Sequence, residues 1–131
     1  MQRTDIPEEI VRAARAAYGK DAHLVRLRCP RREALVCDGQ VVGFVTPHRE
    51  KVGWRHGPMF IRPEYRGRGL LEAYYRAHPE RECVAFVEDG NVASLKAHTR
   101  AGFTFWRRHA HGVFLRRPPV VEEHEDVQRA A

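Results

Sequence analysis

Apolar and polar positions along the chain change period several times, and each change marks an element. Ile6, Ile10, Val11 and Ala14 recur at the spacing of one helical face. Asp5 precedes Glu8 by three residues with Pro7 in the first turn, the order of a capping box. A helix is therefore expected from Asp5 to about Tyr18, closed by Gly19. Residues 23–27 read as a short strand. Two apolar runs, 33–37 and 40–45, flank Asp38-Gly39, a strong hairpin signal. Residues 53–62 supply the next strand, making an antiparallel meander, and it stops at Pro63 because proline donates no ladder hydrogen bond. Leu70, Leu71, Tyr74 and Tyr75 return to helical spacing up to about His78-Pro79. Residues 83–87 form a short buried strand, and Asp89-Gly90-Asn91 is a turn in which Asn91 caps a helix over 92–101 that ends at Gly102. Strands at 103–106 and 113–115, split by Gly112, finish the pattern.

This order predicts an α+β fold with a mixed, mostly antiparallel central sheet and helices on both faces. The strand-helix-strand unit from Met59 to Val87 is a crossover, so its two strands are expected to run parallel. A single domain is expected over residues 1–117, followed by a tail over 118–131 that begins at Pro118-Pro119 and carries the acidic run 122–126.

Composition changes the picture in two respects. The formal net charge of +6 over 131 residues favours polyanionic partners, either a phosphorylated cofactor or nucleic acid. Three cysteines, Cys29, Cys37 and Cys83, are an odd number at unrelated spacings with no CxxC pair. They read as reduced thiols of a cytoplasmic protein. The polar start is no secretory signal, and no run reaches the length of a membrane span. His109 and His111 share a face without a third ligand, so no metal is expected.

The segment between Ile61 and Leu71 carries the most chemistry. Gly67 and Gly69 lie among Arg62, Arg66 and Arg68, after a strand and at the start of a helix. Amides of a first helical turn lack internal partners and face outward, and the macrodipole adds positive potential. Glycines let the main chain approach a bound group closely. The expected ligand bears phosphate.

Two separated signatures resemble the GNAT superfamily of acyl-CoA-dependent N-acyltransferases. Pro63-Glu64-Tyr65-Arg66-Gly67-Arg68-Gly69-Leu70 is similar to the family's pyrophosphate loop, and the stretch from Asn91 to Gly102-Phe103 is similar to its Asn-led helix ending in Gly-Phe. The likeness spans about Ala34 to Arg117. It implies that the strand ending at Ile61 and the strand ending near Val87 form a splayed parallel pair with the cofactor in the gap. By the same resemblance, the main chain of Met59, Phe60 and Ile61 pairs with pantetheine, and the amides of Gly67, Arg68, Gly69, Leu70 and Leu71 hold the pyrophosphate. Arg66 and Arg68 add charge there, and Asn91 bonds near the pantetheine from the other side. The co-substrate implied is acetyl-CoA, with no metal, and the acceptor a primary amine on a small molecule or protein.

Two departures from the family pattern carry expectations. Leu71 stands where the loop's last small residue belongs, so its branched side chain is expected to crowd the pyrophosphate and weaken cofactor binding. Glu72 adds a negative charge beside it. His98 stands where the family has the tyrosine that protonates the departing thiolate, and histidine can take that role near neutral pH. For the general base the candidates are Glu88 at the end of its strand and His56 on the strand entering the loop, with Asp89 and Glu64 behind them. Cys83 reads as a small apolar strand residue, and Trp54 and Trp106 as core or interface.

Two other functions compete with transfer to a small or protein amine. One is acyl transfer to an amine borne by nucleic acid, which requires Arg26, Arg28, Arg31, Arg32, Arg107 and Arg108 to converge on one face. The other is a CoA-binding regulator without catalysis. A homodimer pairing through edge strands after Trp106 is compatible with all three.

Overall fold

The structure, a computed structural model, describes residues 5–120. The chain opens with helix α1 (Glu8–Tyr18) and a 3₁₀ turn (Gly19–Leu24), followed by strands β1 (Glu33–Cys37), β2 (Gln40–Val45), β3 (His48–Glu50), β4 (Gly53–Arg55) and β5 (Phe60–Ile61). A 3₁₀ turn (Pro63–Tyr65) leads into α2 (Leu70–Arg76), then β6 (Cys83–Glu88), α3 (Val92–Arg100), β7 (Thr104–His109) and β8 (Gly112–Arg117). The strands form two sheets, ordered β1-β2-β5 and β3-β4-β6-β8-β7.

Alternation along β2 sets the layers. Phe44 packs with Phe60 and with Ile10, Val11 and Ala14 of α1. Val45, next in the chain, packs with Leu35, Leu71, Tyr75 and Phe103. Successive strand residues point to opposite faces, so α1 covers one face of this sheet and α2 the other. Every pairing is antiparallel except β4 with β6. The fold is mixed α+β, as the pattern of elements indicated.

Three local expectations are corrected. Asp5 does not cap α1, since Pro7 occupies the N-cap with no side-chain bond and the first intrahelical amide, Ile10 N–H, reaches Pro7 O at 3.0 Å. Residues 23–27 make no strand. Gly19 takes φ 56° after Tyr18, and the chain turns through a 3₁₀ segment instead. The single strand expected over 53–62 is broken at Gly57-Pro58 into β4 and β5, which belong to different sheets. Pro58 offers no amide to a ladder, so the run cannot continue through it. The strand entering the loop therefore does not pair with β6. Its lower half does, through Trp54 and Cys83.

That break produces the splay. β6 meets its parallel neighbour at one residue pair, Trp54 with Cys83, before β5 veers off to join β2. Beyond Cys83, β6 is laddered to β8 and has no ladder with β5. After β8 the chain returns onto the end of α2, where Val120 N–H donates to Pro79 O at 2.8 Å. The acidic run 122–126 lies outside the described residues.

Candidate active site

The turn after β5 is built by its glycines. Gly67 and Gly69 take φ 77° and 75°, the left-handed region that side-chain-bearing residues avoid. A Cβ at either would meet no atom within 4 Å, so the requirement is torsional and leaves open space over the turn. Gly69 is the N-cap of α2, and its carbonyl accepts from Ala73 N–H at 2.9 Å. Amides from Gly67 to Glu72 have no backbone acceptor among the described residues. Arg66 and Arg68 are exposed beside them, with Arg68 stacked on Tyr65 at 4.8 Å.

Leu71 does not face this turn. Its side chain is 8% exposed and packs with Leu35, Val45 and Tyr75 in the core. The expected steric conflict with a pyrophosphate therefore disappears, because the second residue of the helix turns inward. Glu72 lines a different cleft, with Arg76 and Arg100.

β5 has one bonded and one open edge. Arg62 N–H donates to Val42 O at 2.8 Å, and Phe44 is the register partner of Phe60. Phe60 therefore bonds toward β2, and by strand alternation the amides and carbonyls of Met59 and Ile61 point the other way. Two side chains already occupy that edge. Arg66 Nε–H donates to Ile61 O at 2.9 Å. The Tyr18 hydroxyl donates to Met59 O at 3.0 Å and accepts from Met59 N–H at 3.1 Å. Burial pushes the Tyr18 pKa up, against the lowering effect of its bond to Met59, so the phenol keeps its proton at neutral pH.

Of the three residues expected to handle protons, His98 and His56 are buried against the same Tyr75 ring, and Glu88 is exposed. His98 is 3% exposed, its ring packed against Phe103 (5.0 Å) and Tyr75 (6.0 Å). Nδ1 lies 2.8 Å from Ser94 O, which a protonated Nδ1 satisfies, leaving Nε2 with a lone pair and no partner among the described residues. Burial lowers its pKa, opposed by the bond to Ser94. The neutral ring in this tautomer has no proton at Nε2 to give, so the geometry favours packing over acid catalysis.

His56 is 2% exposed, within ring-contact distance of Tyr75 (5.1 Å) and Tyr74 (5.4 Å). Arg81 Nη1 lies 3.2 Å from its Nε2 and 3.0 Å from Tyr74 Oη, and Tyr74 donates to Glu33 Oε1 at 2.5 Å. A guanidinium only donates, so Nε2 accepts and Nδ1 carries the proton, without a partner among the described residues. Burial first, then the charge on Arg81, pulls the pKa down to about 3. A base that weak, with its lone pair committed to Arg81, does not suit proton abstraction. Glu88 is exposed at the end of β6, and Asp89 beside it holds Arg108 in a two-point pair at 2.6 and 2.8 Å. Asn91 caps α3, its Oδ1 accepting from Ser94 N–H at 3.1 Å, which leaves its amide nitrogen available.

The arginines of the nucleic-acid criterion do not converge. Arg26, Arg28, Arg31 and Arg32 precede β1, the outer strand of one sheet, whereas Arg107 and Arg108 lie on β7, the outer strand of the other. Arg107 stacks on Trp106 at 4.6 Å. Tyr18 and Arg81 were missed in the sequence because each acts through partners far along the chain. A helix-ending tyrosine before glycine is the only local signal for Tyr18.

No family model matches this chain, and no curated protein matches it in sequence. Solved structures do. The ribosomal-protein-S18-alanine N-acetyltransferase from Escherichia coli aligns with a TM-score of 0.60 at 14% identity, covering 91% of this chain and 94% of that one. The PaiA N-acetyltransferase from Thermoplasma acidophilum, in complex with coenzyme A, gives 0.56 at 18%, covering 86% and 80%. The Campylobacter jejuni N-acetyltransferase PseH, in complex with acetyl coenzyme A, gives 0.56 at 17%, covering 80% and 77%. The chain has the fold of the GNAT acetyltransferases.

Proposed function

We propose that the protein is an acyl-CoA N-acyltransferase that moves an acetyl group from acetyl-CoA to a primary amine. The observation that carries this reading is the left-handed Gly67–Gly69 turn, with unbonded amides and two exposed arginines, at the end of a strand that leaves its parallel neighbour. Diphosphate oxygens fit amide and guanidinium donors of this kind. The extended arm of the same ligand fits the open edge of β5 as an added strand would. Two of the similar structures are complexes with coenzyme A or acetyl coenzyme A, which supports the same seat here.

In the reaction a neutral amine attacks the thioester carbon, a tetrahedral oxyanion forms, and CoA thiolate leaves and takes up a proton. An alkyl amine of pKa about 10.4 must first lose its proton, at a cost of about 4.6 kcal/mol at pH 7. Exclusion of water and a water-relayed base reduce that cost. The oxyanion falls to the amide of Ile61 on the open edge, since Met59 N–H already donates to Tyr18. Tyr18 is the hydroxyl on that edge, and it takes the proton-donating part that His98 is not arranged to play. It protonates the thiolate and recovers a proton, through solvent, from the nitrogen that the attack leaves positively charged, so that a neutral amide and CoA thiol are released. Asn91 contributes its free amide nitrogen to the arm from the α3 side.

Titration calorimetry with CoA at physiological salt, followed by thiol release from acetyl-CoA over a panel of amines, tests the proposal. Saturable heat and amine-dependent thiol are expected. Heat without thiol on every amine supports a CoA-binding regulator instead, and absence of heat overturns both readings. The separation of the two arginine groups argues against a nucleic-acid acceptor.

A further inference from the structure

Arg32 presents an unusual balance. The residue is only 6% exposed, yet its Nε is buried without a hydrogen-bond partner, and its guanidinium has no ion-pair partner among the described residues. The Phe44 ring lies 5.0 Å below it, and Cys29 and Arg15 are near enough to act on its charge. Buried guanidinium groups ordinarily meet carboxylates or carbonyls, because leaving their donors unmade is costly. Arg32 lines a cleft of about 480 Å³ between the first half of α1 and the segment before β1. The side chain whose Nε lacks an acceptor thus borders space large enough to hold one.

The rest of the lining narrows the chemistry. Ile6 and Leu27 form apolar wall, and Leu27 is 66% exposed, a large aliphatic surface left to water. Arg28 adds a second positive charge. Asp5 and Glu8 stand at the same cleft, with Glu8 already held by Arg12 at 2.8 Å, so Asp5 is the carboxylate left over. A planar carboxylate fits the guanidinium fork. An ammonium fits Asp5, and an aliphatic side chain fits Leu27 and Ile6. A dianionic phosphate would meet both acids and have no use for the apolar wall.

We propose that this cleft binds a free aliphatic α-amino acid, its carboxylate on Arg32 and its ammonium toward Asp5. Arg32 leads into β1, the strand two positions from β5 in the order β1-β2-β5, a distance of about 10 Å. The cleft is lined by α1 and the segment before β1, not by β5 or the glycine turn, and the proposal does not depend on the acyl-transfer reading.

L-leucine is the probe, titrated into the full chain by calorimetry or by NMR shifts, beside 4-methylpentanoate, isopentylamine and inorganic phosphate. Saturable binding of leucine is expected, weaker for 4-methylpentanoate and undetectable for isopentylamine. Arg32→Met, which keeps an unbranched chain over Phe44, is expected to lower leucine affinity by about tenfold or more. Asp5→Asn, at an exposed position, is expected to weaken leucine but not 4-methylpentanoate, and it keeps the test valid should the Arg32 variant fail to fold. Leucine that does not bind at millimolar concentration, or that binds both variants as well as the parent, overturns the proposal. Phosphate binding tighter than leucine also overturns it.

Discussion

Tyr18 is the residue on which the proposed chemistry turns. Its hydroxyl closes both hydrogen-bonding groups of Met59, so in the free protein part of the open edge of β5 is already satisfied. A ligand carbonyl at that edge must share or displace the phenol, and a phenol displaced toward the reacting atoms is positioned to give a proton. Tyr18→Phe is therefore expected to cut turnover by about a hundredfold or more, the lower range for a general acid, while acetyl-CoA affinity stays equal or tightens. His98→Phe supplies the contrast. The ring sits between Tyr75 and Phe103, and a phenyl group suits that slot, so turnover is expected to remain within about twofold. Steady-state kinetics on both variants, with CoA calorimetry, decide the matter. Loss of turnover in His98→Phe without loss of affinity would return the acid role to the histidine.

Among the elements, α3 carries two roles on one residue, and they can be separated. Asn91 Oδ1 caps the helix through Ser94 N–H, whereas its amide nitrogen is what the proposal assigns to the pantetheine arm. Serine caps about as well as asparagine but lacks the amide, so Asn91→Ser is expected to weaken CoA binding at nearly unchanged stability. Asn91→Ala is expected to lose both, with about 1 kcal/mol of stability gone. Thermal melts and calorimetry on the pair check this. Equal CoA binding by all three proteins removes Asn91 from the site. The cap was legible in the sequence because capping is local, and so was the glycine turn, where torsion confines the choice of residue. The β1–β2 hairpin was legible for the same reason. What escaped depended on distant partners or on weak patterning. β3 is His48-Arg49-Glu50, too polar to announce a strand, and its partner β4 was fused with β5 because the apolar run does not record which sheet each half joins. Leu71 looked like an obstruction in one dimension, and only the helix phase turned it into the core.

For the molecule as a whole, two buried neutral histidines make acid the weak direction. His56 lies among Trp54, Tyr74 and Tyr75 with Arg81 on its Nε2, and His98 lies under α3, so both are drawn from different elements into one packed interior. Burial lowers the pKa of each, to about 3 for His56. An unfolded histidine titrates near 6.5. Above that value neither state binds the proton, and these groups give stability no pH dependence. As the pH falls below 6.5 the unfolded chain takes up protons that the folded chain refuses, and stability drops until the folded pKa is reached. For His56 the slope approaches about 1.4 kcal/mol per pH unit. Between about pH 6 and 5, before carboxylates contribute much, denaturant unfolding should therefore register close to one proton taken up on unfolding through His56, with His98 adding in the same direction. His56→Gln keeps an acceptor for Arg81 and removes one titrating ring, so the slope in that interval is expected to fall by close to one proton even if the variant is less stable at every pH. An unchanged slope would mean that the ring opens to water and charges in the folded state. Protonated Nε2 would then have to leave Arg81, and the chain of bonds from Glu33 through Tyr74 that ties β1 to α2 would loosen with it.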